Sequence, residues 1–256
     1  MRFFIFNKKS LIMFLFCFIL LATAVSVGIV GTKAAINTAT QKRELPIYYV
    51  DKEEKVVSLS FDAAWGNEQT SSLIKILQDY NVKATFFLVG DWVDKYPDSV
   101  KEISDSGNEI GNHSDTHPHM SKLSSDKIKN EVTSCNEKIK NITGKSPELF
   151  RAPYGEYNNQ VVEAIKGLNM YCIQWDVDSL DWKDPTAKQI TDKILNKVKP
   201  GSIVLMHNGA KNTPEALPMV IKGLQDKGYK IVPISQIIYK EKYKIDTNGK
   251  QILDEN

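Results

Sequence analysis

Cysteine is scarce: there are three in 256 residues, Cys17, Cys135 and Cys172, and no C-x-x-C pair. That excludes a disulfide framework and a thiolate metal site, and leaves free thiols as the expected state. Charge of one sign is also lacking. Thirty-three Lys and Arg against 31 Asp and Glu give +2 at pH 7, which argues against a nucleic-acid or membrane-surface footprint. Histidine is rare too, with four residues, yet three of them lie within residues 113–119. Residues 11–30 contain no charged residue at all.

That uncharged run, preceded by Arg2, Lys8 and Lys9, is about as long as a helix needs to cross a bilayer. Ala22, Ala24 and Ser26 would permit cleavage of a signal peptide, but the length favours a retained, single-pass anchor. The basic residues before the run favour a cytoplasmic N-terminus, although Lys33, Lys42 and Arg43 weaken the asymmetry. The expected organisation is an anchor at 1–31, a polar linker at 32–48, one extracytoplasmic catalytic domain at 49–240, and a loose charged tail at 241–256.

Within 49–240, β-rich and helical patterns alternate. Residues 55–61 and 84–89 read as strands, and Leu73, Ile76, Leu77 and Tyr80 mark one face of the helix between them. A helix near 99–106, a short strand ending near Gly111 and a long helix over 125–143, stopped by Gly144 and Pro147, follow. Further strands end at Arg151, Asp176 and His207, and another covers 229–232. Repeated βα units give a parallel sheet, open or closed into a (β/α) barrel, whose active site lies at the carboxyl ends of the strands.

The stretch E-I-G-N-H-S-D-T-H-P-H-M at residues 109–120 is the focus of the chain. His113 and His117 are four apart, which predicts two imidazoles on one side of a helical turn, converging on a metal ion. Pro118 ends that turn, and Ser114 stands where a zinc-protease helix has Glu. Other ionisable groups sit at neighbouring strand ends. Asp62 suits a general base or a metal ligand, and Arg151 can orient a carboxylate. In W-D-V-D-S-L-D-W, Asp178 and Asp181 lie between Trp175 and Trp182, rings of the kind that stack on sugars. Alone, Asp62 reads as a capping residue, Arg151 as half of a surface ion pair and His207 as structural; together, five strand ends each supply an ionisable group.

S-F-D at 60–62, H-S-x-x-H-P at 113–118, R-x-P-Y at 151–154, D-x-x-D-W at 178–182 and L-x-H at 205–207 occur in the order seen in polysaccharide deacetylases with the NodB homology domain. The chain resembles that family over about 49–239. F-D-x-x-W-G and V-D-S-x-D-W make it similar to the PdaB-like, sporulation-associated branch. The resemblance implies a distorted (β/α) barrel that removes N-acetyl groups from cell-wall glycan with a divalent metal, zinc by preference. It implies His113 and His117 as metal ligands, Asp62 as general base, Arg151 as holding Asp62 or a neighbouring acid in place, and the Tyr154 backbone N–H at the oxyanion. His207 is implied as general acid, tuned by Asp178, with Pro153, Trp175, Trp182 and Leu205 around the substrate.

One position departs from the family pattern. The Asp that follows the base and completes the metal site is here Ala63. Asp115, His119, Asn67 and Glu68 are conceivable donors, but none is at a position the family uses. Because base, acid, both histidines and Arg151 are retained, the expected function is N-deacetylation of cell-wall glycan, with peptidoglycan favoured by anchoring outside the membrane. The alternative is a degenerate member that binds peptidoglycan or a sporulation partner without turnover.

Overall fold

The computed structural model describes residues 43–254 and, nearer the N-terminus, Lys9, Met13, Phe16 and residues 18–23. The chain divides into two units, Met1–Arg43 and Glu44–Asn256. In the first, residues 18–23 are helical and exposed, and Thr23 Oγ1 donates back to the Ile19 and Leu20 carbonyls. Most of the expected span at 11–30 lies outside the described residues, as do Cys17 and the linker up to residue 42. Among the described residues, no helix is long and apolar enough to cross a membrane.

The second unit is built on β2 (Val56–Ala63), whose eight residues are all buried. Alternation along the strand sorts them into two faces. Val57, Leu59, Phe61 and Ala63 join the apolar layer beneath the helices, where Phe61 stacks on Phe86 with ring centroids 4.9 Å apart. Ser58, Ser60 and Asp62 point the other way. Burying hydroxyls there costs little, because the Ser58 and Ser60 side chains donate to the Val232 and Val204 carbonyls at 2.7 Å.

Around β2 the other strands run parallel: β3 (Thr85–Leu88), β4 (Glu109–Asn112), β5 (Leu149–Phe150), β6 (Tyr171–Cys172), β7 (Val177–Asp178) and β8 (Ile203–His207). Their order across the sheet is β6-β5-β4-β3-β2-β8-β7, and β9 (Lys230–Ile231) pairs the start of β2. The crossovers carry α1 (Thr70–Asp79), α2 (Gly90–Lys95), α3 (Pro97–Asp105), α4 (Ser125–Thr143), α5 (Asn159–Gly167), α6 (Ala187–Leu195) and α7 (Thr213–Asp226). Helix α4 has the expected bounds for local reasons. The Ser124 side chain caps its first turn, and Gly144, at φ 75°, accepts the left-handed turn that ends it.

The sheet has to curl. Its two edge strands, β6 and β7, are joined by residues 173–176 with no helix between them. A link that short spans at most about 15–20 Å, far less than a flat seven-strand sheet is wide. The edges therefore face each other. Residues 47–50 cross the remaining gap through bridges Ile47–Ile173 and Tyr49–Ser202. The result is the expected distorted barrel, incompletely closed, with Ile47, Val50, Phe87, Ile173, Ile203 and Ile234 filling its interior.

The tail corrects the sequence reading. Residues 241–256 were expected to be loose, but β10 (Tyr243–Ile245) and β11 (Lys250–Leu253) form a hairpin, and β11 pairs in parallel with β1 (Tyr49–Val50). Asp246 holds the turn by accepting from the Asn248 and Lys250 N–H groups, and Gly249 supplies φ 79°. Gln251, fully buried, binds both the N–H and the carbonyl of Tyr239. The domain thus extends beyond residue 240.

Candidate active site

Asp62 leaves β2 on its interior face and is almost fully buried. Its Oδ1 accepts from an Arg151 guanidinium NH2 group at 2.7 Å, and the second NH2 group donates to Ser60 Oγ and the Gln174 carbonyl. Arg151 itself is wholly buried, packed over the Phe87 ring. Burial alone would raise the Asp62 pKa. The Arg151 charge, with smaller contributions from His113 and His207, outweighs it and holds the carboxyl below the usual carboxylate range.

The histidine loop is not the helical turn that the spacing predicted. Ser114 and His117 adopt φ 67° and 57°, so no α-helical turn forms between them. Side chains satisfy the loop's backbone instead. Asn112 Oδ1 accepts from Ser114 N, Ser114 Oγ from His117 N, and Glu131 from Asp115 N and Thr116 N. The imidazoles nevertheless converge, with ring centroids 5.0 Å apart. Burial lowers the pKa of both, that of His117 to about 4, so each is neutral near pH 7.

The Arg151 carbonyl can only accept, so His113 Nδ1 carries the proton of their 2.8 Å hydrogen bond. The lone pair of Nε2 then faces Asp62 Oδ2 at 3.5 Å, an arrangement that invites a cation. Two neutral imidazoles and an anionic neighbour suit a divalent metal completed by water. A third protein ligand is lacking: among the described residues, no group of three His, Cys, Asp or Glu is placed to hold a metal. Ala63 ends β2 on the helix-facing side. The other donors are engaged elsewhere, Asp115 with Ser134 and Lys138, His119 with Glu156, Glu68 with Asn67 N, and Asn67 with Ser99.

Across the mouth, His207 ends β8. Its partner is Asp181, not Asp178 as the sequence reading had it. Asp181, fully buried, takes Nδ1 of His207 at 2.7 Å on one oxygen, and His207 N and Thr213 Oγ1 on the other. Leu180, at φ 55°, turns the chain so that the later acid faces inward. Asp178 accepts from Leu180 N and stays at the cavity wall. Burial lowers the His207 pKa, but the Asp181 hydrogen bond and charge, then Asp62 and Asp178, more than reverse it and raise it above the ordinary value. Base and acid are thus pushed in opposite directions, the arrangement that acid–base catalysis at one pH requires.

A cavity of about 450 Å³ joins these groups. Asp62, His113, His117, Tyr154, Trp175, Asp178, Trp182, Leu205 and His207 line it; Arg151 lies beneath, and Pro153 is buried in the following turn without reaching the wall. Tyr154 sits at φ 59°, and its N–H has no acceptor among the described residues. Its ring stands edge-on to His117. Sequence reasoning missed Asp181 as the His207 partner and Trp65 as a wall, although both belong to motifs it had singled out.

A polysaccharide deacetylase family model matches residues 49–173. A peptidoglycan-N-acetylglucosamine deacetylase of Bacillus cereus is 34% identical over 73% of this chain and 69% of its own length. The chain belongs to the polysaccharide deacetylase family. The uncharacterized protein YlxY of Bacillus subtilis is 35% identical, and the chain covers 60% of its length. Among solved structures, BA3943 of Bacillus anthracis, described as a CE4 family pseudoenzyme, superposes with a TM-score of 0.73 at 39% identity, over 75% of this chain and 68% of that one. Family membership accounts for the barrel, and the order of the five motifs is the order in which β2, β4, β5, β7 and β8 deliver their ends to one mouth.

Proposed function

We propose that the chain is an N-deacetylase of cell-wall glycan, with peptidoglycan as the substrate class. The observation that carries this reading is two paired groups facing one cavity, Asp62 bound to Arg151 and His207 bound to Asp181, with the Asp62 pKa lowered and the His207 pKa raised. Asp62, oriented by Arg151, takes the proton of the attacking water. The Tyr154 N–H receives the carbonyl oxygen as it gains charge. His207 gives its proton to the departing amine, which cannot leave as an anion. Leu205, Trp175 and Trp182 supply an apolar wall for the acetyl methyl group. A divalent cation held by His113 and His117, zinc by its preference for imidazole, would add positive charge to polarise the carbonyl. The expected anchor at 11–30 and a role in sporulation belong to the same proposal: the enzyme would work outside the membrane, where its substrate is.

The second reading, a glycan-binding member without turnover, draws on Ala63 and on the description of BA3943 as a pseudoenzyme. Acetate release from purified peptidoglycan, with and without chelator, separates the two. Metal-dependent acetate supports the enzyme; glycan binding with no acetate from any wall preparation supports the binder.

A further inference from the structure

Trp65 leaves β2 two residues beyond its end and lies over His207, with ring centroids 5.1 Å apart and planes inclined by 32°. This placement is built by its neighbours. Gly66, at φ 59°, turns the chain, and its carbonyl accepts from Trp92 Nε1 at 2.6 Å and Asn208 Nδ2 at 3.3 Å. Gly209 lies against the indole. A Cβ there would come within 2.4 Å of the Trp65 carbonyl oxygen and 2.6 Å of indole Nε1, so only glycine lets the ring lie where it does. Although 45% exposed, Trp65 lines the cavity together with His207 and Asp62.

Resting on the deacetylase reading, we infer that Trp65 is a positioning residue for His207. Asp181 holds one edge of the imidazole through Nδ1, which fixes the tautomer, but one hydrogen bond leaves the tilt of the ring to be set by what packs on its faces. The indole closes one face and sets that tilt, so the remaining nitrogen stays aimed at the amine. A positively charged imidazole also gains from an aromatic face. The contact therefore favours the acid form of His207 and its orientation together, and matters only where the leaving group needs a proton.

The test compares two substrates on the full chain: acetylated glycan, whose amine must be protonated to leave, and an aryl acetate, whose phenolate leaves without help. His207→Ala and Trp65→Ala should both lower turnover of the glycan amide, Trp65→Ala on the order of tenfold, and each should lower the aryl ester rate by a clearly smaller factor. Trp65→Phe retains a ring over the imidazole and should recover most of the amide rate. Equal losses on the two substrates, or a Phe variant as impaired on the amide as the Ala variant, would overturn this inference. A wild type inactive on every acetylated glycan would overturn the deacetylase reading itself, a distinct result.

Discussion

Asp181→Asn isolates the acid. The carboxylate accepts three hydrogen bonds, two from His207 and one from Thr213, and is wholly buried. An amide of the same shape can keep its oxygen toward His207 N and Thr213 Oγ1, which turns its NH2 toward His207 Nδ1. Two N–H groups then oppose each other whenever the ring is protonated. A charge-assisted hydrogen bond is lost, at a cost of about 1.5–3 kcal/mol, equivalent to roughly one to two pH units on the group that depends on it. The assay is kcat/KM for acetate release as a function of pH. The proposed mechanism needs Asp62 ionised and His207 protonated, so it predicts a profile that rises through the lowered Asp62 value and falls through the raised His207 value. Asp181→Asn should move only the falling limb, downward, whereas Asp178→Asn should move it much less. The stability sign agrees: the raised His207 pKa contributes stability fully below about pH 6.5 and loses it as the pH climbs through the folded value, a dependence that Asp181→Asn should flatten. A falling limb that stays in place in Asp181→Asn would refute this assignment of the acid's partner.

Arg151→Met strands a buried carboxylate, and breaking such a pair costs about 3–5 kcal/mol; thermal melts should fall and the rising limb should move to higher pH, and an unmoved limb would show that Arg151 does not set Asp62. Because the folded Asp62 pKa lies below its unfolded value, the stability from that pair is present above about pH 4 and is lost as the pH falls through the folded value, a slope that should vanish in the same variant. Ala63→Asp adds a carboxylate at the end of β2 on the face turned to the apolar layer, so it must bend around the strand end to reach the imidazoles. Zinc titration calorimetry should show tighter binding together with a lower metal-free melting temperature, and unchanged affinity would mean the new acid stays among the apolar side chains. Gln251→Leu removes both bonds to Tyr239, and its melting temperature should fall by several degrees, consistent with about 1–3 kcal/mol for buried partners left unpaired; an unchanged melt would make the hairpin incidental.

The parts of this architecture that local pattern encodes were legible in the sequence. The bounds of α4 follow from Ser124 and Gly144, and the ionisable residues at five strand ends announced a single mouth. What escaped it depends on backbone turns that periodicity does not report. The spacing of His113 and His117 suggested a helical turn, yet the left-handed residues Ser114 and His117 build the convergence another way. Both acids of D-x-x-D were visible, but only the turn at Leu180 decides that Asp181 faces His207. The C-terminal hairpin was hidden by polar composition, although N-G at 248–249 is a hairpin signal in its own right.

Mass spectrometry of peptidoglycan fragments after incubation with the full chain tests the central claim most directly, run beside Asp62→Asn. The account predicts fragments lighter by one acetyl group, with matching free acetate, in the wild type and neither in the variant. Unaltered fragments under every added divalent ion, or equal deacetylation by Asp62→Asn, would contradict it.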